Sequence, residues 1–377
     1  MSTLPVAPDP PTPLGRYRLL SPTASIRVSP IALGGMSIGD KWGSSTKEGS
    51  FKVMDAYYEE GGNFIDTANG YQDGSSEELI GEWMELCGNR DQMVVATKYS
   101  SPWKRHDPSV VQKVHYTGNG TKSMHVSVDA SLRKLRTSYI DILYVHWYDW
   151  DTSVQELMGS LHNLVVAGKV LHLGISDSPA WFVTKANQYA TDHGKTPFCI
   201  YQGQWNLALR SFERDIIPMA RAEGLALAPW DVLARGKFRT EAEAQIQIAA
   251  GDKGRVAFGS EKLEASEDEK KVSAALEKVA ADVGAGSIQA VAIAYHLQKT
   301  PYVFPIIGVS KIEKMHKNIE ALQIRLSEEQ MTFLESALPF DVGFPNWLIG
   351  DGTKEHDIMK ISTRLDVWPK PEPIKPA

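Results

Sequence analysis

Four side chains in this 377-residue sequence are of the types that deliver a proton to a carbonyl oxygen. They are Asp66 and Tyr71 in DTANGY, Lys98 in VVATKY and His146 in LYVHWYD. A free phenol ionises near pH 10 and is a weak acid at neutrality. An ammonium group within about 4–6 Å stabilises the phenolate and is worth about 1–3 pKa units. Lys98 is that cation for Tyr71, and Asp66 is the counter-ion that holds Lys98. His146 orients a carbonyl or shares the proton. No side chain supplies a hydride, so a reduction built on this set implies a nicotinamide cofactor. Further polar residues stand at equivalent places: Ser176 and Asp177, then Gln202, Gln204 and Asn206.

Each of these groups follows a short apolar or β-branched run that lacks the alternation of a half-wet strand. The predicted strands are Pro30–Leu33, Asn63–Asp66, Gln92–Thr97, Asp141–Val145, Val170–Gly174, Phe198–Tyr201, Leu225–Ala228 and Tyr302–Ile306. Between them lie helix-period stretches: Thr46–Glu60, Ser76–Cys87, Ser123–Arg136, Ser153–Val166, Pro179–His193, Arg210–Glu223 and Lys311–Leu322. Several open on Ser or Thr, and several close on Gly, as at Gly61, Gly88, Gly168, Gly194 and Gly224. Eight strand–helix units let a parallel sheet close, so the pattern predicts an α/β fold, a (β/α)8 TIM barrel with long loops at its C-terminal mouth. The polar residues at the strand ends then converge on one rim. An open doubly wound sheet would carry a glycine fingerprint after its first strand, and Gly118-Asn119-Gly120 has no third Gly and sits in a loop.

The connection from Pro229 to Pro301 is long. It holds a charged stretch, Glu264–Lys271, read as a solvated helix start, and two helices, Lys271–Val283 and Ser287–Lys299. Ser327–Leu338 is a short extra helix. Residues 1–17 form a Pro-rich arm, 18–338 the barrel, and 339–377 a tail rich in Pro, Gly and aromatics that packs near or over the mouth. A net charge of −6 without a long basic stretch argues against nucleic acid. No run reaches the roughly 18 apolar residues of a membrane span. The amino terminus has five prolines in its first fifteen residues and no apolar core, so the protein is expected to be soluble and cytosolic. The sequon Asn119-Gly120-Thr121 is then unused. Cys87 and Cys199 are the only cysteines, which excludes a disulfide scaffold.

Taken in order, Asn63-Phe64-Ile65-Asp66-Thr67-Ala68 with Tyr71, the Lys98 strand end, His146, and Ala167-Gly168-Lys169 running on to Gly174-Ile175-Ser176 resemble the aldo-keto reductase superfamily, from about Arg18 to Leu338. The stretch Leu171–Trp181 is most similar to fungal aryl-alcohol dehydrogenases and norsolorinic-acid-reductase-like members. The resemblance implies a barrel that binds NADP(H) across its mouth without a Rossmann loop, with Tyr71 the general acid, Lys98 and Asp66 tuning it, and His146 orienting the carbonyl. It implies that Ser176, Asp177 and Gln202 hold the nicotinamide carboxamide and that Trp230 stacks on the ring. The resemblance further implies that the segment Asp231–Lys237, with Asp231, Leu233, Arg235, Gly236 and Lys237, lies along the pyrophosphate. It also implies that Gly308, Ser310, Lys311, Lys314 and Asn318 take the 2′-phosphate and adenine and that Gly34, Gly35 and Met36 close the floor beneath the cofactor.

On this footing the chain is expected to be an NADP-dependent oxidoreductase that reduces aryl aldehydes, reversibly, to aryl alcohols. The alternatives are reduction of a larger, polyketide-like aromatic ketone, or a weakly catalytic regulatory subunit resembling channel-associated β subunits. The intact tetrad favours the enzyme. The superfamily commonly has Asn at Asp177, Tyr at Trp230 and Arg at Ser310; a carboxylate cannot donate to a carboxamide oxygen, and the missing Arg bears on NADP selectivity. Met36, Trp42, Trp103, Trp147 and Trp347 lie near rim loops as a candidate aromatic pocket, whereas Trp83 and Trp181 read as helix packing. The remaining histidines show no metal-ligand spacing, so no metal site is expected.

Overall fold

The computed structural model describes residues 4–42, 45–249, 264–366 and 368–376. An antiparallel hairpin of β1 (Arg18–Ser21) and β2 (Ala24–Val28) comes first. The parallel strands follow: β3 (Ala32–Gly34), β4 (Phe64–Asp66), β5 (Val94–Tyr99), β6 (Ile140–Val145), β7 (Val170–Ser176), β8 (Phe198–Gln204), β9 (Ala226–Trp230) and β10 (Ile306–Ile307). They lie in the order β10-β3-β4-β5-β6-β7-β8-β9. Leu227 N–H donates to Tyr302 O (2.9 Å) and Phe304 N–H to Leu227 O (2.8 Å), which links β9 to the segment before β10. The sheet is a nearly closed (β/α)8 barrel.

Outside it pack α1 (Lys47–Glu59), α2 (Ser75–Cys87), α3 (Thr121–Lys134), α4 (Val154–Val166), α5 (Ala180–Asp192), α6 (Phe212–Glu223), α7 (Glu241–Ala249), α8 (Glu267–Val283), α9 (Ile288–Lys299), α10 (Ile312–Ile319) and α11 (Glu328–Ser336). Thr46, Ser153, Ser266, Ser287 and Ser327 accept from backbone N–H groups of their helices, and Ser266–Glu269 and Ser327–Gln330 form reciprocal capping boxes. The charged stretch after Glu264 is therefore the first turn of α8, its Glu267–Lys270 and Asp268–Lys271 pairs in solvent. Gly81 is required by packing: a Cβ there would lie 2.2 Å from Lys134 O, where α2 rests on the end of α3.

Several boundaries differ from expectation. Strands β5, β7 and β8 run on through Lys98, Ser176 and Gln202, because polar side chains at the mouth still leave the backbone ladder intact. The last strand shrinks to two residues; Pro301 and Pro305 bring no N–H to that ladder. The hairpin, α7 and two short tail helices, α12 (Asn346–Ile349) and α13 (Asp357–Lys360), were not predicted. Leu20, Ala24 and Val28 of the hairpin join Phe64, Val94, Ile142, Ile200 and Phe304 in one buried cluster, which closes the end of the barrel opposite the mouth.

The arm is tied down near its end: Thr12 Oγ1 donates to Glu60 O (2.8 Å) and Leu14 is fully buried. The tail runs along α6, where Arg214 donates to the carbonyls of Asp341 (2.9 Å) and Val342 (3.1 Å) and Arg221 pairs with Asp351 (3.1 Å). Phe344, Trp347 and Trp368 are exposed on it. Among the described residues no helix is long and apolar enough to cross a membrane. Leu14→Ala removes a side chain with no solvent contact and is expected to cost about 2–5 kcal/mol. The measurement is the urea midpoint of the full chain, and an unchanged midpoint would show that the arm carries no stability.

Candidate active site

Side chains along a strand alternate between its faces, and the phase that puts Phe64, Val94, Ala96, Ile142, Ile200, Ala226 and Ala228 inside the barrel also fixes what stands above them. Two residues further along the same phase come Asp66, Lys98, Tyr144 and then His146, Gln202 and then Gln204, and Trp230. Ser176 stands two residues beyond Gly174. The apolar filling of the barrel thus gives way to a polar layer at the mouth. Gly174 makes room for it, since a Cβ there would strike the Tyr144 ring at 2.5 Å.

In that layer Lys98 Nζ lies 2.5 Å from Asp66 Oδ1 and donates to Thr67 O (2.7 Å), with no solvent contact. Gln202 Nε2 donates to the other carboxylate oxygen of Asp66 (2.9 Å). Burial pushes the Asp66 carboxyl upward, against the pull of Lys98 and Gln202. Burial, the largest single influence, pulls the Lys98 ammonium down, but the charge and hydrogen bond of Asp66 together with those of Tyr71 outweigh it and leave Lys98 above its ordinary value. Lys98 therefore keeps its charge at neutral pH.

Tyr71 reaches this pair from the loop after β4. Gln72 (φ 52°) and Asp73 (φ 54°) turn the chain there in the left-handed region. Gln72 is buried; its Nε2 donates to Met36 O (2.9 Å), and its Oε1 accepts from Trp42 N–H (2.8 Å). Lys98 Nζ lies 4.8 Å from the centre of the Tyr71 ring. The sequence suggests a phenol made more acidic by Lys98, and the direction found is the opposite. Burial raises the Tyr71 pKa by more than the cation lowers it, and Asp66 offsets part of the cation's field. His146 stands edge-on to Tyr71 with ring centres 6.0 Å apart. Burial, then the charge of Lys98, depress its pKa to about 3, so the ring is neutral.

The other expected residues surround this cluster. Gly35 packs onto β4, where a Cβ would lie 2.8 Å from Asp66 O; Gly34 faces Gly308, whose N would lie 3.1 Å from such a Cβ. Asp177 (φ 41°) accepts from Trp230 Nε1 at 3.2 Å. It keeps solvent contact, yet the crowded mouth raises its carboxyl to about 6. The two departures at these positions are thus partners: an indole N–H needs an acceptor that a phenol ring edge does not. Asp231 (φ 65°) is gripped by Gln204 (2.7 Å) and Asn206 (3.1 Å to its carbonyl), with Arg235 3.9 Å away and half-exposed. Leu233 and Gly236 lie in the same loop, while Lys237 is drawn off to Glu269 (3.3 Å). Ser310, Lys311 and Lys314 are exposed at the start of α10, and Asn318 is buried in it. Among the described residues Lys311 and Lys314 make no ion pair.

Of the expected aromatics, Trp42 donates to Asp73 (3.2 Å) and Trp103 stands beside Gly70 and Tyr116, so both flank the Tyr71 loop. Trp147 follows His146 with its carbonyl held by Asn119 (3.0 Å). Trp347 does not join them: it stands exposed on α12 in the tail, where its ring neighbour is Phe344 (6.4 Å between ring centres). Trp181 does not pack as expected: it is 53% exposed, grouped with Tyr148, Trp150 and Phe182 at the head of α5, because the helix is covered from Phe182 inward. Sequence reasoning passed over Gln72, Ser100 and Ser101; Ser101 Oγ lies 3.0 Å from His146 Nδ1. The one signal for the serines was their place directly after the Lys98 strand. Among the described residues no three His, Cys, Asp or Glu side chains group as metal ligands.

A neutral His146 makes a direct prediction. An unperturbed histidine takes up its proton near pH 6.5. With its value depressed to about 3, His146 is expected to show no change in its ring resonances between pH 8 and 5. An NMR titration checks this, and a midpoint above about pH 7, beyond even the free value of about 6.5, would show that the ring is charged at neutrality.

The aldo/keto reductase family model matches residues 30–339. An aryl-alcohol dehydrogenase [NADP(+)] of Phanerodontia chrysosporium is 56% identical over 377 residues, covering 98% of each chain. A putative aryl-alcohol dehydrogenase of Saccharomyces cerevisiae is 54% identical, covering 91% of this chain and 92% of its own. Norsolorinic acid reductase B of Dothistroma septosporum is 54% identical over 90% of this chain and 86% of its own. With the barrel, the buried Lys98–Asp66 pair and the Tyr71–His146 face in place, this chain belongs to the aldo/keto reductase family.

Proposed function

We propose that this NADP-dependent oxidoreductase reduces aryl aldehydes to aryl alcohols, reversibly, with Tyr71 as proton donor. The observation that carries the reading is the buried Asp66–Lys98 pair beneath the Tyr71 ring, with neutral His146 beside it. NADPH, when bound, supplies the hydride. The residues at the mouth fit it: among the described residues Ser176 Oγ is buried without a hydrogen-bond partner, Gln202 keeps its amide oxygen and one N–H uncommitted by Asp66, and the Trp230 ring is held at the rim by Asp177.

In this reading His146 holds the carbonyl oxygen with a ring N–H. The phenol of Tyr71, kept protonated by burial, gives its proton to that oxygen as negative charge develops. Lys98 then stabilises the phenolate, and Asp66 keeps Lys98 in place. Trp42, Trp103 and Trp147 form the walls beside a flat substrate. Two of the relatives are named for aryl alcohols and one for norsolorinic acid. A larger aromatic ketone is the second reading, favoured by Trp150, 68% exposed beside Trp181, which extends aromatic surface beyond the tetrad. Initial rates with a series of benzaldehydes against polycyclic aryl ketones decide between them. A preference of at least tenfold for the aldehydes supports the first, and the reverse order overturns it.

Tyr71→Phe removes the donated proton and leaves the ring. A proton donor contributes about 10²–10⁴ in rate. Turnover is expected to fall by at least a hundredfold with NADPH affinity kept, and Lys98→Met to be comparably damaging because Asp66 is left as an uncompensated buried charge. Retention of more than about a tenth of wild-type turnover by Tyr71→Phe would remove Tyr71 from the mechanism.

Cofactor choice rests on Lys311 and Lys314, exposed near the amino end of α10, where unpaired N–H groups already favour an anion. NADPH is expected to bind at least about tenfold tighter than NADH, or roughly 1.4 kcal/mol. Lys314→Glu should weaken NADPH and leave NADH nearly unchanged in a fluorescence titration. Equal affinities in the native protein would sink this assignment and spare the chemistry at Tyr71.

A further inference from the structure

His146 is held by two serines that the chemistry above does not use. Ser100 is buried with φ at +97°, a left-handed backbone that a residue with a side chain rarely adopts. Its Oγ accepts from Asn119 Nδ2 (2.8 Å) and from the backbone N–H of His146 (3.2 Å). The turn that Ser100 makes aims the next side chain back at the imidazole, so Ser101 Oγ lies 3.0 Å from His146 Nδ1. Among the described residues Ser101 Oγ has no other hydrogen-bond partner, and His146 Nε2 has none at all.

A neutral imidazole carries one donor and one acceptor nitrogen, and the partner of one fixes the role of the other. If Nδ1 held the hydrogen and gave it to Ser101, Nε2 would turn a lone pair toward the carbonyl oxygen and repel it. If Ser101 gives its hydroxyl hydrogen to Nδ1, the hydrogen sits on Nε2 and can meet that oxygen. We infer that Ser101 is a positioning residue that sets the tautomer of His146, donating to Nδ1 so that Nε2–H faces the substrate. The inference rests on His146 as the group that orients the carbonyl. Ser101 itself does not touch the reacting atoms.

The test reads the tautomer without turnover. Holoenzyme labelled with 15N-histidine and saturated with NADP+ is studied by long-range 1H–15N correlation, with His146 identified by its absence in His146→Gln. The wild-type ring is expected to be protonated at Nε2, Ser101→Ala to show a mixture of both tautomers, and Ser101→Thr, which keeps the hydroxyl, to restore the wild-type pattern. In parallel, Ser101→Ala should lower kcat for benzaldehyde reduction about tenfold, the worth of one good hydrogen bond, with NADPH affinity unchanged. Ser101→Thr should recover it. A wild-type ring protonated at Nδ1, or an unaltered Nε2–H form in Ser101→Ala, overturns the inference. Should Ser101→Ala fold poorly, Ser101→Gly takes its place in the same spectra. The spectra need no carbonyl substrate, so failure of the aryl-aldehyde reading leaves this result intact, and a wrong tautomer leaves the Tyr71 chemistry intact.

Discussion

The ion pair between Lys98 and Asp66 sets the terms for the rest of the molecule. Two opposite charges 2.5 Å apart without solvent contact have lost their hydration, a cost of several kcal/mol per ion that their attraction repays only when every remaining valence is filled. Thr67 O takes one ammonium hydrogen and Gln202 fills the second carboxylate oxygen. Lys98 and Asp66 stand on the adjacent strands β5 and β4, but Gln202 comes from β8 on the opposite part of the barrel wall, so the second carboxylate oxygen is filled only where the sheet has curled round. Water must also be kept from below. The hairpin β1–β2 and the interior aromatic pair Phe64 and Phe304 do that. A surface pair of the same residues would have none of these requirements and little effect on Tyr71.

The same neutralisation limits what Lys98 can do to Tyr71. Taken alone, an ammonium beside a phenol lowers its pKa. Here the nearer partner of Lys98 is Asp66, and the ammonium meets the face of the Tyr71 ring. Burial wins, and the phenol stays protonated at neutrality. That resting state suits the role of proton donor proposed for Tyr71. The cation contributes when charge moves onto the phenol oxygen, because only then does the field of Lys98 act on something it can stabilise.

Much of this was legible in the sequence, and the limits have physical causes. Buried parallel strands and capped helices write themselves in apolar runs and Ser/Thr–Gly punctuation, so the barrel and the four residues Asp66, Tyr71, Lys98 and His146 could be placed before any coordinates. Ser176 and Gln202 were read beside them as polar residues just past the ends of apolar runs. The hairpin was hidden because Leu19-Leu20 and Ile26-Arg27-Val28 are short and follow a proline-rich arm. Gln72, Ser100 and Ser101 were hidden for another reason. Each acts through a long-range bond, to Met36, Asn119 or His146, that depends on how two loops meet rather than on any local pattern. The pairing of Asp177 with Trp230 is of the same kind: either residue alone looks like a departure, and only their 3.2 Å contact makes them one feature. The residues proposed for the adenosine end lie before and within the first turns of α10, and that proposal rests on charge and exposure, since among the described residues no hydrogen bond or ion pair joins them to the tetrad.

The distribution of backbone strain argues that the mouth, and not the barrel wall, is where this fold stores tension. Ten described residues other than glycine have positive φ, and eight of them lie in loops that follow barrel strands at the mouth: Gln72, Asp73, Ser100, Trp150, Asp177, Asp231, Ala234 and Arg235. Such conformations cost on the order of 1 kcal/mol or more each and persist only where surrounding contacts over-determine them. Four of the eight carry those contacts in plain view. Gln72 bonds Met36 and Trp42, Ser100 bonds Asn119 and His146, Asp177 bonds Trp230, and Asp231 bonds Gln204 and Asn206. In each case the strained residue either holds a member or neighbour of the tetrad or stands at the start of the Asp231–Lys237 loop at the mouth. A relaxed loop at any of them would aim the side chain elsewhere. The strain is therefore the local cost of bringing side chains from five separate loops onto one reacting centre, and the closed, apolar barrel beneath supplies the rigidity that lets it persist.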